Sequence, residues 1–147
     1  MKARLNAFHA APKTMQALLD LSEHVEKCGL EHSLLELVKT RASQINGCAF
    51  CLHMHTRDAR AQGETEMRLY LLSAWRESPL YSERERAALA WTEAVTGINH
   101  APVSDADFQA LQAQFTPEEQ VKLTLAITTI NAWNRVNVAF QTPHPKS

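Results

Sequence analysis

The chain has 147 residues, 45% of them hydrophobic and 21% charged, with 15 Lys and Arg against 16 Asp and Glu for a formal net charge of -1. That length predicts one domain, residues 1–147, long enough to bury a core of its own, and the composition is that of a soluble globular protein. The charges are interspersed without a basic stripe, which argues against nucleic acid or anionic lipid as a partner.

The N-terminus carries Lys2, Arg4 and Lys13 but no apolar stretch of the kind a secretory signal needs. Residues 14–28 read as a first helix, stopped by Gly29. Residues 32–46 read as a second, with Leu34, Leu35, Leu37, Val38 and Ile45 on its apolar face, broken by Asn46-Gly47. A third runs from about Cys48 to Gln62 and stops at Gly63. A fourth covers about 65–76, ahead of Ser78-Pro79. The fifth opens on Ser82-Glu83-Arg84-Glu85, where Ser82 caps the helix and Glu85 reaches back in a capping box, and it runs to Gly97. A loop containing Pro102 leads to a short helix from Ser104 to Ala113. Thr116-Pro117-Glu118-Glu119 then starts the last helix, with a cap and a proline at the first helical position. It reaches about Gln141, before Pro143.

Within that last helix lies an uncharged apolar run, the twelve residues Leu123 to Asn134. A bilayer span takes about 20, so no membrane segment is expected. No segment alternates with the period of a strand, and β-branched residues are sparse. The predicted fold is therefore all-α, a single compact domain of about seven helices. There is no internal repeat and no linker.

Chemistry concentrates in Asn46-Gly47-Cys48-Ala49-Phe50-Cys51-Leu52-His53-Met54-His55. Two of the three cysteines sit in four residues at a predicted helix N-terminus, where unpaired N–H groups and the helix dipole favour an anion. A free thiol has a pKa near 8.5, so only ~3% is thiolate at pH 7. An imidazole beside it can take its proton, and His55, four residues after Cys51, lies on the same helix face. His53 is about 200° around from Cys51 and reads as a surface or packing histidine. Phe50 and Leu52 read as packing residues, and Cys28, beside Gly29, as a small buried hydrophobe.

An odd cysteine count fits a disulfide-scaffolded secreted domain poorly. Cytoplasm is the expected location, and there a CxxC is catalytic or metal-binding rather than structural. Thioredoxin is set aside because its CxxC needs strands around it. Zinc would need four ligands, and Cys48, Cys51 and His55 or His53 supply three, with His100 and His144 isolated. No metal or other cofactor is expected. Glu36, twelve residues before Cys48, has two readings from spacing. If the helices fold together at Asn46-Gly47, it approaches His55 or Cys51. Equally, Ser33-Leu34-Leu35-Glu36 matches a capping box that ties off its own helix. Trp75, Trp91 and Trp133 read as packing or subunit contacts. Asn131, Asn134 and Asn137, along one edge of the last helix, read as interhelix or intersubunit hydrogen-bonding groups.

Glu36, Cys48-x-x-Cys51 and His55 together resemble the core motif of the alkylhydroperoxidase D-like branch of the carboxymuconolactone decarboxylase superfamily. The approach from Glu36 through Arg41-Ala42-Ser43-Gln44-Ile45-Asn46-Gly47 is similar, as are Arg84 to Thr96 and Asn131-Ala132-Trp133-Asn134-Arg135. The resemblance covers roughly residues 5–138, with the core motif region at about 31–97 and the last helix at about 117–141. It implies an all-α fold, a homo-oligomer (trimer or hexamer), and peroxidase chemistry without metal, flavin or haem. Carried over, Cys51 attacks the peroxide, Cys48 resolves the product into a disulfide, and His55 with Glu36 relays protons. The implied partners are a hydroperoxide substrate and an external dithiol or thioredoxin-like reductant. Full-length relatives place a histidine between the cysteines where this chain has Phe50, so a redox-responsive thiol module with little turnover is the alternative. The decarboxylases of the superfamily lack the cysteine pair, so their activity is not implied.

Overall fold

Leu34, Leu35, Leu37, Val38 and Ala42 share one helix whose buried positions run nearly all the way round, and Glu36, Lys39, Thr40 and Ser43 are buried with them. A helix buried on all sides belongs at the centre of a helical stack. In the computed structural model, which describes residues 2–146, it does. This is α3, His32–Asn46; the preceding helices are α1, Ala7–Ala10, and α2, Pro12–Glu26. Then come α4, Ala49–Ala61, α5, Glu66–Tyr70, a 3-10 helix over Leu72–Glu77, α6, Glu83–Thr96, α7, Asp105–Gln114, and α8, Pro117–Phe140. The fold is all-α, with eight α-helices and one 3-10 helix among the described residues.

α3 packs against α8, α4 and α6. The main core joins Leu35 and Val38 of α3 to Val25 of α2, Ala88 of α6, Leu111 of α7 and Leu123 and Ile127 of α8. A second cluster, Leu37, Leu72, Trp75, Tyr81 and Leu89, fills the opposite side of α3. A third, Ala42, Cys48, Cys51 and Ile130, lies at the α3–α4–α8 corner, with Phe50 and Trp133 packed on it. Among the described residues, no helix is long and apolar enough to cross a membrane.

Capping residues set most boundaries as the sequence predicts. Ser82 and Glu85 form the expected capping box at α6, Thr116 and Glu119 form one at α8, and Ser104 caps α7. The departures have physical causes. The helix expected over 65–76 splits into α5 and the 3-10 helix, with non-helical backbone at Ala74 (φ -114°, ψ 26°). Leu72 and Trp75 are three residues apart and eclipse in 3-10 geometry, so both enter the cluster with Leu37 and Leu89. The one-turn α1, capped by Asn6, is too short to carry a readable period. Ile45 leaves the apolar face it was expected to share and is 40% exposed. Cys28 is half-buried against the main core rather than fully enclosed.

Candidate functional site

Gly47 creates the corner on which the site is built. Its φ of 65° is left-handed, a conformation that costs other residues and lets α3 end only two residues before α4 begins. The Cys48 N–H then bonds back to the Ser43 carbonyl at 3.0 Å. Cys48 becomes the N-cap of α4 in extended conformation (φ -89°, ψ 94°), and its Sγ accepts from the Cys51 N–H at 3.3 Å. Cys48 and Cys51 are disulfide-bonded, with Cα atoms 5.3 Å apart, and each residue is 1% exposed.

Both sulfurs are buried, yet their surroundings differ. Cys51 lines a cavity of about 760 Å³ bounded by α2, α3, α4, α8 and the N-terminal segment, whereas Cys48 is not in its wall. Asn137 of α8 donates from Nδ2 to Cys51 Sγ at 3.6 Å, within the longer range of hydrogen bonds to sulfur. His55 lies one turn beyond Cys51 and also lines the cavity.

Glu36 comes to His55 from α3. Its Oε2 lies 2.9 Å from His55 Nδ1, and both side chains are buried. With Nδ1–H donating to the carboxylate, Nε2 is the ring nitrogen left with a lone pair that can receive a proton. This resolves the two readings of Glu36. α3 begins at His32 with Glu31 as its N-cap and no capping side chain, so Ser33 and Glu36 form no capping box.

The other Glu36 oxygen, Oε1, accepts from Lys39 Nζ at 3.2 Å, and Lys39 also pairs with Glu26 of α2. Burial pulls the Lys39 ammonium down to about 8, opposed by the nearby Asp58 carboxylate. His32 Nδ1 lies 3.5 Å from Glu26. A continuous chain of contacts therefore runs His32–Glu26–Lys39–Glu36–His55 along the cavity wall.

A separate amide network holds the corner. Asn46 Nδ2 donates to Asn131 at 3.0 Å and to Asn134 at 2.9 Å, and Asn134 donates to Ser43 Oγ at 2.9 Å. Asn131 and Asn134 thus make the interhelix bonds their spacing suggested, while Asn137, on the same edge, reaches sulfur.

The structure brings Cys48, Cys51, His55 and Glu36 together. His53 stays outside the cavity and stacks on His144 at 5.5 Å between ring centroids. Phe50 packs beside the cysteines and faces the cavity. Trp75 and Trp91 are packing residues with ring N–H bonds to Glu93 and Thr124, but Trp133 lines the cavity. Among the described residues, no three His, Cys, Asp or Glu side chains are grouped to hold a metal ion. Sequence reading missed Lys39 and Asn137 as site members. Lys39 carried a signal, a cation three residues from Glu36 and directly after the apolar Leu37 and Val38. Asn137 carried none beyond its edge position.

A model of the carboxymuconolactone decarboxylase family matches residues 12–94, more than half of the chain. YdfG, an uncharacterised protein of Bacillus subtilis (strain 168), is 40% identical over 140 residues, 95% of each chain. A crystal structure from Agrobacterium tumefaciens, of a protein of unknown function provisionally named antioxidant defence protein AhpD, matches at a TM-score of 0.97 and 46% identity. It covers 99% of this chain and 100% of that one. The debrominase Bmp8 shares the fold at a TM-score of 0.84 and 20% identity, over 95% of this chain and 75% of its own. The chain belongs to the carboxymuconolactone decarboxylase family, in its alkylhydroperoxidase D-like branch.

Proposed function

We infer that this protein is a thiol-dependent hydroperoxide reductase with an antioxidant role. The observation that carries the reading is the asymmetry of the pair: Cys51 faces the cavity beside the Glu36–His55 pair, and Cys48 lies behind it. In the reduced protein, His55 takes the Cys51 thiol proton and Glu36 stabilises the resulting imidazolium. The Cys51 thiolate attacks the terminal oxygen of a hydroperoxide, the O–O bond breaks, and the departing alkoxide takes the proton held by His55 and leaves as an alcohol. Cys51 is now a sulfenic acid. The Cys48 thiol attacks its sulfur, a disulfide forms and water departs. That disulfide is the state of the pair described above. An external dithiol, small or thioredoxin-like, reduces it by exchange and is itself oxidised. The reading includes a homo-oligomer, trimer or hexamer, working in the cytoplasm.

The test is steady-state consumption of cumene hydroperoxide by the reduced protein with excess dithiothreitol. Cys51→Ser should abolish it; turnover surviving that change overturns the assignment. A second reading, a redox-responsive thiol module, is favoured by the burial of both cysteines, which slows access by a bulky reductant. It predicts one stoichiometric oxidation and then arrest, whatever the concentration of small dithiol.

A further inference from the structure

In the proposed reaction Glu36 and His55 move the proton, and Lys39 has no part. Yet Lys39 is the one lysine or arginine that is buried among the described residues. Its side chain is 8% exposed and that of Glu36 6%. Burying an ammonium is costly unless it is paired, and here the pairing points at the proton relay. Lys39 Nζ donates to Glu36 Oε1 at 3.2 Å, while Oε2 lies 2.9 Å from His55 Nδ1. Among the described residues, Oε1 accepts from Lys39 alone. The ammonium therefore reaches His55 through a single carboxylate.

The charges around the pair make that contact matter. Glu26 of α2 and Asp58 of α4 share the cavity wall with Glu36 and His55, and His32 of α3 contacts Glu26. Cys51 is the remaining titratable group in the wall; α8 and the N-terminal segment contribute none among the described residues. A nearby carboxylate raises a group's affinity for a proton, and a nearby cation lowers it. Glu26 and Asp58 thus act to load the Glu36–His55 pair with a proton, and Lys39 is the one lysine or arginine of the wall that opposes them. An extra proton disables the pair in either arrangement. If Glu36 is a carboxylic acid donating to Nδ1, the ring hydrogen sits on Nε2. If Glu36 stays ionised, the imidazolium carries hydrogens on both nitrogens. Neither leaves Nε2 the lone pair that takes the thiol proton.

We propose that Lys39 is a positioning residue for the reaction: through Glu36 Oε1, its charge lowers the proton affinity of the Glu36–His55 pair and keeps His55 Nε2 free to act as the base at neutral pH. The proposal rests on the reductase reading and adds a residue to it. Burial brings the Lys39 ammonium down to about 8, so the effect is present below that pH and fades above it.

Two measurements on the full-length chain test this role. Nitrogen NMR of the His55 ring in the disulfide form reads the hydrogen on Nε2 with no peroxide present. In Lys39→Met, which removes the charge, the pH at which Nε2 loses its hydrogen should rise by at least about one unit. In the reduced protein, the same variant should slow both alkylation of Cys51 by iodoacetamide and consumption of cumene hydroperoxide about tenfold at pH 7. The gap should close to within about twofold by pH 9, where the wild type has lost the charge too. Lys39→Arg, which keeps the charge, should restore the titration and bring the rate back to within about threefold. Lys39→Gln keeps a donor without the charge and should fall between, and it carries the test if Lys39→Met does not fold. A lysine that only braces α2 against α3 predicts a loss equal at every pH and an unmoved His55 titration. That result, or a Lys39→Arg variant that restores neither quantity, would overturn the proposal. If even the wild type consumes no peroxide while the titration and the alkylation move as stated, the role of Lys39 stands and the reductase reading fails. If the wild type consumes peroxide and the His55 titration stays put in Lys39→Met or Lys39→Gln, the reductase reading stands and the role of Lys39 falls.

Discussion

Two charged networks flank α3, and they differ in kind. On one side Glu93 of α6 accepts from Arg41 Nε at 2.8 Å and from Trp75 Nε1 at 2.9 Å, and it pairs with Arg76. On the other, Glu36 accepts from Lys39 and His55. Both glutamates are shielded from solvent, and both tie neighbouring elements together. The partners of Glu93 hold their protons at every ordinary pH, because guanidinium and indole do not titrate there. The partners of Glu36 are groups that can give up a proton, and they stand in a cavity beside a sulfur. Burial pushes the Glu93 carboxyl up, but the hydrogen bonds from Arg76, Trp75 and Arg41 outweigh it and hold the group below the usual carboxylate range. The Glu93 network is a fastener. The Glu36 network is built from the parts of a fastener whose protons can move.

The sharpest way to break that comparison is to remove one hydrogen-bonding group from each side. His55→Asn should slow reduction of cumene hydroperoxide by about 10²- to 10⁴-fold, the usual contribution of a positioned general base, with little loss of folding stability. Glu93→Gln should do the reverse. It leaves Arg41 and Arg76 without their counter-charge and should lower stability by about 2 kcal/mol in urea unfolding, with activity held within a factor of about two or three. Its stabilising charge is present above the unfolded carboxyl pKa and is lost as pH falls through the lowered folded value. The wild-type advantage over Glu93→Gln should therefore shrink in acid, below about pH 4.5. Equal activity losses in the two variants would erase the distinction.

What the sequence disclosed follows the same division between local and distant contacts. Ser82 with Glu85, and Thr116 with Pro117 and Glu119, marked helix starts correctly because a cap is decided within four residues. Cys51 and His55 were legible for the same reason, since helical spacing alone puts them on one face. Glu36 was ambiguous from spacing and needed the family resemblance, because its partner lies across the Gly47 corner. The break after Tyr70 was hidden, since it depends on Leu37 and Leu89 drawing in Leu72 and Trp75. Asn137 meets Cys51 across 86 positions of sequence, and nothing near either residue announces the contact.

Lys39 and Arg41, two residues apart on α3, offer a second comparison with a smaller effect. Burial lowers the Lys39 ammonium to about 8, whereas an unfolded lysine titrates near 10.5. Between those values the unfolded chain binds the extra proton, so this group makes folding more favourable as pH rises from 8 towards 10.5. Stability measured as the difference between wild type and Lys39→Met should increase by on the order of 2 kcal/mol across that window. The corresponding difference for Arg41→Met should stay flat, because its guanidinium remains charged throughout. A flat Lys39 difference would mean that its two glutamates hold the ammonium as firmly as Glu93 holds Arg41, and the contrast between the networks would narrow to His55.

The smallest effect separates two asparagines on one helix edge. Asn134 bonds Ser43 and Asn46 and so fastens α8 to the corner; Asn137 donates to Cys51 Sγ. A hydrogen bond to a thiolate stabilises the reactive state more than the protonated one, and one such bond contributes about 1 kcal/mol. In the reduced protein, Asn137→Leu should therefore slow alkylation of Cys51 by iodoacetamide at pH 7 about fivefold, at nearly unchanged folding stability. Asn134→Leu should lower stability by about 1–2 kcal/mol, because it orphans buried partners on α3. Its effect on alkylation should be under about twofold once measured well below the unfolding transition. If both variants slowed alkylation equally, the contact to Cys51 would be one more brace of the corner, and the electrostatics of the sulfur would rest on the N-terminus of α4 and His55 alone.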